Sequence, residues 1–220
     1  MSVLKTVYKQ TFIYGLATVV PRMLSFLLVR LHTDKSVLQN VSDYGDVSIV
    51  FAYFVLFNVL LAYGMETAFF RFFNKEPSKA NVLNTATVSI LVSSLGFLAL
   101  GLLFKQQIAD LTHIHVNYIS LVVWILFLDA LVIIPFAALR AYGKPVKYTV
   151  IKLTNVVVNL GLNIFLLLYL KALSVDNSFW DSIYVANFEV SYIFIANLIA
   201  SGVTLLILLP FYFKINFKVD

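Results

Sequence analysis

Cysteine is absent from the 220-residue chain, which excludes disulfides, thiolate nucleophiles and cysteine-based metal sites. Charge is scarce too: Asp, Glu, Lys and Arg together make up 12% of the residues, where a soluble domain carries roughly 25%. No H-E-x-x-H, P-loop, G-x-S-x-G or glycine-rich dinucleotide turn occurs, so no enzyme is expected. There is no long polar insertion, no short internal repeat and no low-complexity segment. What remains is apolar: 61% of residues are hydrophobic, including 20 Phe and 12 Tyr, and the mean hydropathy is +0.91. A water-soluble globule of this length could not cover so much apolar side chain with so little charge. Disorder, a nucleic-acid-binding domain and a soluble enzyme are thereby excluded, and an all-α integral membrane protein is expected.

A spanning helix needs roughly 20 mostly apolar residues. The long intervals between charges predict six, at residues 12–31, 47–70, 80–104, 116–139, 148–170 and 185–213. None shows the alternation of a barrel strand over about 10 residues. Turns are expected at Tyr44-Gly45, at Gly143-Lys144-Pro145 and in the polar run from Ser174 to Asp181. The spans should therefore pack as a single bundle. Lys5 and Lys9 precede the first apolar run, but Arg22 interrupts it and no A-x-A-like site follows. The run reads as a spanning helix rather than a cleaved signal.

Helices that alternate in direction sort the cations onto two sides. The side of the N-terminus collects Lys5, Lys9, Arg71, Lys75, Lys79, Arg140, Lys144, Lys147, Lys152, Lys214 and Lys218, and the other side only Arg30, Lys35, Lys105 and Lys171. Asp34, Asp43, Asp46, Asp110, Asp176 and Asp181 lie on the poorer side. By the positive-inside rule both termini are expected in the cytoplasm. The basic stretch from Arg140 to Lys152 is read mainly as a topology anchor, with headgroup contact as the alternative.

Polar residues inside the spans are the candidate functional set, because a charge at the bilayer centre costs about 2.5–3.5 kcal/mol. Arg22 sits about ten residues into the first span, roughly 15 Å deep at 1.5 Å per residue. Asp129 lies at similar depth in the fourth. The two could form a buried ion pair fixing helix register, or line a shared aqueous cavity that contacts substrate or carries a proton. Asn155, Asn159 and Asn163 recur at i+4 and form one polar stripe on the fifth span. That stripe serves either interhelical hydrogen bonds or a hydrated wall suited to sugar hydroxyls. Asn197 is a further amide in the sixth span.

Pro21, Pro135 and Pro210 fall inside spans and should kink them, either as static bends or to shape a cavity or hinge. Pro21 adjoins Arg22, so the first helix should bend at its charged point. Glu66 and Arg71 bracket the end of the second span at i,i+5, a poor same-helix offset, so either could instead pair with a neighbouring helix or loop. His113 and His115 lie in a loop without a third ligand type nearby, and no metal is expected.

Several strings resemble a known family. Residues 5–15 (Lys-Thr-Val-Tyr-Lys-Gln-Thr-Phe-Ile-Tyr-Gly), followed by Pro21-Arg22-Met23, look like the opening helix of bacterial polysaccharide and O-antigen flippases. Asp43-Tyr44-Gly45, the stretch from Tyr63-Gly64-Met65-Glu66 to Arg71, and Arg140-Ala141-Tyr142-Gly143-Lys144 through Lys152 and Asn155 resemble later parts of the same family. These proteins belong to the multidrug/oligosaccharidyl-lipid/polysaccharide exporter superfamily. The resemblance implies one six-helix lobe of a MATE-like transporter, the N-terminal half of a longer chain whose second lobe is missing here. It implies translocation of an undecaprenyl-linked oligosaccharide across the bacterial inner membrane for cell-surface polysaccharide, including lipopolysaccharide. Arg22 would contact the lipid pyrophosphate. No cofactor and no nucleic acid are implied, although coupling to H+ or Na+ is an option. A cation-coupled multidrug exporter, favoured by Asp129, and a non-transporting membrane scaffold are the alternatives.

Overall fold

The computed structural model describes residues 3–34, 37, 41–176, 178–213 and 215. Lys35, Lys214 and Lys218 of the charge count, Asn177 of the polar run and the last five residues lie outside the described residues. The described residues are helical with no strand. In chain order the helices are α1 (Val3–His32), α2 (Val41–Ala62), α3 (Met65–Lys75), α4 (Lys79–Leu103), α5 (Lys105–Thr112), α6 (Val116–Leu131) and α7 (Ile133–Ala141). There follow α8 (Pro145–Ile164), a wider π-helical turn at Phe165–Tyr169, α9 (Leu170–Asp176), α10 (Ser178–Asp181) and α11 (Glu189–Tyr212). These join into six helices long and apolar enough to cross a membrane: Thr11–His32, Val47–Lys75, Lys79–Leu103, Val116–Ala141, Pro145–Val175 and Glu189–Tyr212.

The fourth span is the centre of the bundle. Ile125, Leu126, Ala130, Ile134 and Ala137 are all buried, and α6 packs against α2, α4 and α11. Next to α11 comes α8, and α1 packs against α8. That makes α1 an outer helix, standing off from α6. Edge-on contact between Tyr14 and Tyr148 (5.5 Å) and a bond from the Thr149 hydroxyl to the Ile13 carbonyl (3.3 Å) fasten α1 to α8.

Two spans are broken. Between α2 and α3 the chain turns through Tyr63 and Gly64, with φ of 29° and 71°. Gly64 suits a left-handed position that a side chain would strain. The fourth span breaks between Leu131 and Ile133, for a reason written in Pro135: it lacks the N–H that would bond the carbonyl four residues back, at Leu131. The Tyr212 hydroxyl from the end of α11 donates to that freed carbonyl. Tyr212→Phe should therefore lower stability in micelles by about 1 kcal/mol. In a Pro135→Ala background, where the alanine supplies its own N–H, the same change should cost much less, and chemical denaturation of the four proteins measures the coupling.

The turn expected at residues 143–145 is present. Gly143 takes φ of 63°, its N–H bonds the Arg140 carbonyl at 3.0 Å and that of Lys144 the Leu139 carbonyl at 2.9 Å. This is a Schellman cap with Pro145 opening the next helix. Elsewhere the chain departs from expectation. Tyr44-Gly45 lies inside the first turns of α2 rather than in a turn, and most of the run 174–181 is helical, in α9 and α10. The fifth span begins at Pro145, the sixth only at Glu189.

Candidate functional site: a charged cavity between the first helix and the bundle

Where α1 stands off from α6, a cavity of about 590 Å³ opens, lined from α1, α3, α6, α7, α8 and α11. Arg22 and Pro21 contribute from α1, beside Ala17 and Thr18. Asp129 faces it from α6, Glu66 from α3 and Arg140 from α7. From α8 come Tyr148, Lys152 and Asn155, and from α11 Thr204. Three cations and two carboxylates thus share one chamber with an amide and three side-chain hydroxyls.

Arg22 and Asp129 line the same chamber without touching. The one ion pair among the described residues is Arg140 with Glu66, so of the two alternatives for Arg22 and Asp129 the register-fixing pair is not formed. Asp129 instead accepts a bond from the Ser201 hydroxyl at 2.7 Å, with the Asn58 side chain as a second hydrogen-bonding neighbour. Its carboxyl thus ties α6 to α11 and α2.

Glu66 finds its partner on another helix, as its poor same-helix offset allowed. The Arg140 guanidinium also lies over the Phe70 ring at 5.3 Å and the Tyr148 ring at 5.4 Å. Lys152 Nζ is 5.3 Å from the Tyr148 ring centre and 5.8 Å from that of Phe136. Aromatic faces stabilise both cations where water is limited.

The asparagine stripe divides. Asn155 lines the cavity and donates to the Thr204 hydroxyl at 2.9 Å. Asn163 is buried and lies outside the cavity lining, as does Asn159. Its amide nitrogen donates to the Asn159 side-chain oxygen at 2.7 Å, and its own oxygen lies 3.0 Å from His32 Nε2. The cause is rotation. Each i+4 step advances a helix by about 40°, so Asn163 sits roughly 80° around from Asn155. It therefore faces the end of α1 instead of the chamber, and works as an interhelical fastener.

Arg71 and Pro135 do not line the chamber either. Arg71 is exposed on α3, and Pro135 is buried, lining a separate depression with Lys144, Lys147 and Pro210. His115 caps α6, accepting the Asn117 N–H at 3.3 Å, and His113 holds the left-handed end of α5. No group of three metal-ligating side chains occurs among the described residues.

Sequence reasoning does not single out Arg140, Tyr148, Lys152 and Thr204 as site residues, because the basic stretch reads as a loop that anchors topology. With α8 starting at Pro145, Lys152 is two turns inside the helix and three residues before Asn155, on the same face. That i,i+3 spacing to a recognised amide was the available signal.

The fold and the chamber together define an all-helical chain with six membrane-length apolar helices and an ionisable interior, an architecture compatible with a multi-pass membrane protein. Compared with known proteins, the chain matches no family model, no curated protein and no solved structure.

Proposed function

We propose that this chain is a lobe of a flippase that moves a lipid-linked oligosaccharide across the bacterial inner membrane for cell-surface polysaccharide. The observation that carries the reading is the chamber itself: Arg22, Arg140 and Lys152 gathered with Asn155 and Thr204 about one space. Cations in an apolar bundle are costly, and a cluster of them suits the phosphate groups of a carrier lipid. Amide and hydroxyl groups on the same wall suit sugar hydroxyls. The resemblance of the Pro21-Arg22, Tyr63–Arg71 and Arg140–Lys152 stretches to polysaccharide flippases supports the same substrate. In this reading both termini are cytoplasmic, and a second lobe covers the chamber's open side.

A cation-coupled drug exporter is the second reading, favoured by Asp129, which faces the chamber with Ser201 as partner and, among the described residues, no cation in ion-pair range. Complementation separates the two. In a strain lacking its polysaccharide flippase, the gene encoding this chain is expressed. Surface polymer should return. Absence of polymer at normal protein level rejects the flippase reading, and cation-dependent dye efflux in the same cells selects the exporter.

A further inference from the structure

The Glu66–Arg140 pair joins the two helix segments that are set off by backbone breaks. Glu66 lies in the first turn of α3, just beyond Tyr63 and Gly64 with their positive φ of 29° and 71°. Arg140 lies in the last turn of α7, beyond the interruption at Val132. The segments pack against one another, and both charged side chains line the chamber. A Cβ built on Gly64 would meet nothing within 4 Å, so the glycine itself is not packed, while beside it the Ser93 hydroxyl donates to that of Tyr63 at 3.3 Å.

Arg140 is incompletely satisfied. Its Nε is buried and has no hydrogen-bond partner, although a guanidinium carries five N–H donors and buried donors are normally paired. Glu66 engages Nη2 alone. Phe70 and Tyr148 hold the guanidinium plane in place, so the unpaired N–H stays oriented for a second acceptor. The side chains are 30% and 41% exposed; the contact is half-solvated and exchangeable.

We propose that Arg140 is a shared cation: it pins α3 to α7 through Glu66 until a phosphate or pyrophosphate group entering the chamber takes the guanidinium over and releases α3. A phosphate offers several acceptor oxygens to the fork, including the Nε–H that Glu66 leaves unpaired. Binding energy from the anion is thereby converted into movement about Gly64. The inference rests on the anion-accepting reading of the chamber and adds a coupling between ligand and helix position.

The chain has no cysteine, so spin labels can be placed at Lys75→Cys on α3 and Lys144→Cys after α7, and their separation measured by pulsed EPR in nanodiscs. Inorganic pyrophosphate is the probe, with a neutral disaccharide as control. Pyrophosphate should raise the ratio of long to short distances by about two- to fivefold, the range a half-exposed ion pair imposes on a two-state equilibrium. The disaccharide should not. Glu66→Gln should give the long population without pyrophosphate and respond little to it. Arg140→Gln breaks the same pair from the other side and should do likewise, while the swap Glu66→Arg with Arg140→Glu should restore the short distance. An unchanged distribution in Glu66→Gln and Arg140→Gln, or indifference of the unsubstituted pair to pyrophosphate, overturns the proposal. Because the distances are read without polymer synthesis, complementation can fail while the coupling stands, and the converse.

Discussion

Arg22→Ala should lower surface polysaccharide by about ten- to a hundredfold, the weakening expected when one hydrogen bond to a charged group is lost, while the amount of membrane-inserted protein stays unchanged. The two halves of that expectation have separate causes. Arg22 lines the chamber from α1 and belongs to no ion pair among the described residues, so its removal orphans no partner among them. Deleting a mid-span charge also removes an insertion penalty of about 2.5–3.5 kcal/mol, so the helix inserts at least as well. Function falls and folding does not. Arg22→Lys keeps the charge but loses the planar fork and should give an intermediate level. Polymer quantified against immunoblotted protein checks the series, and wild-type polymer in Arg22→Ala would remove Arg22 from the transport mechanism.

The second large effect concerns the packing of α4 on α6. A Cβ placed on Gly101 would stand 2.9 Å from both Cγ atoms of Val123. In a helix valine is held largely to one rotamer, and with two methyl groups equally close no rotation clears the space. Gly101→Ala should therefore cost the bundle about 1–3 kcal/mol through overpacking, offset only in part by the roughly 1 kcal/mol that alanine normally brings to a helix. Val123→Ala removes both offending methyl groups and leaves only the Val123 Cβ, at an ordinary 3.6 Å. The double variant should recover most of the loss, a coupling that denaturation of all four proteins would quantify. A neutral Gly101→Ala would mean that these helices do not approach so closely. Glycine at such a point is the usual means by which helices in lipid come into close contact.

How much of the molecule is legible in the sequence follows from which forces act locally. The six spans were legible because charge is excluded from lipid whatever the tertiary contacts, so the charge-free runs mark them within a few residues. The Gly143 turn was legible because a left-handed glycine followed by Lys144-Pro145 is a local signal. Tyr44-Gly45 carried a similar signal and misled, since a glycine costs a helix only about 1 kcal/mol and α2 runs through it. Arg22 and Asp129 stood out as charges in apolar runs, and the chamber brings both in. Spacing alone could not tell which neighbour each asparagine would face. That depends on α1 lying against the far end of α8, where His32 meets Asn163. Arg140 and Lys152 were hidden for a related reason: their charge read as a topology signal, while their place in the chamber depends on where α8 begins and on the rings of Tyr148 and Phe136.

The proposed function depends on the chamber between α1 and the bundle being wet. Single cysteines introduced along α1 in this cysteine-free chain, probed with a charged, membrane-impermeant maleimide in sealed vesicles of both orientations, test that directly. Thr18→Cys and Arg22→Cys, at exposed positions that line the chamber, should be labelled. Val19→Cys and Met23→Cys, at exposed apolar positions outside its lining, should stay unlabelled in lipid. Equal labelling of the two sets, or protection of all four positions, would contradict the account.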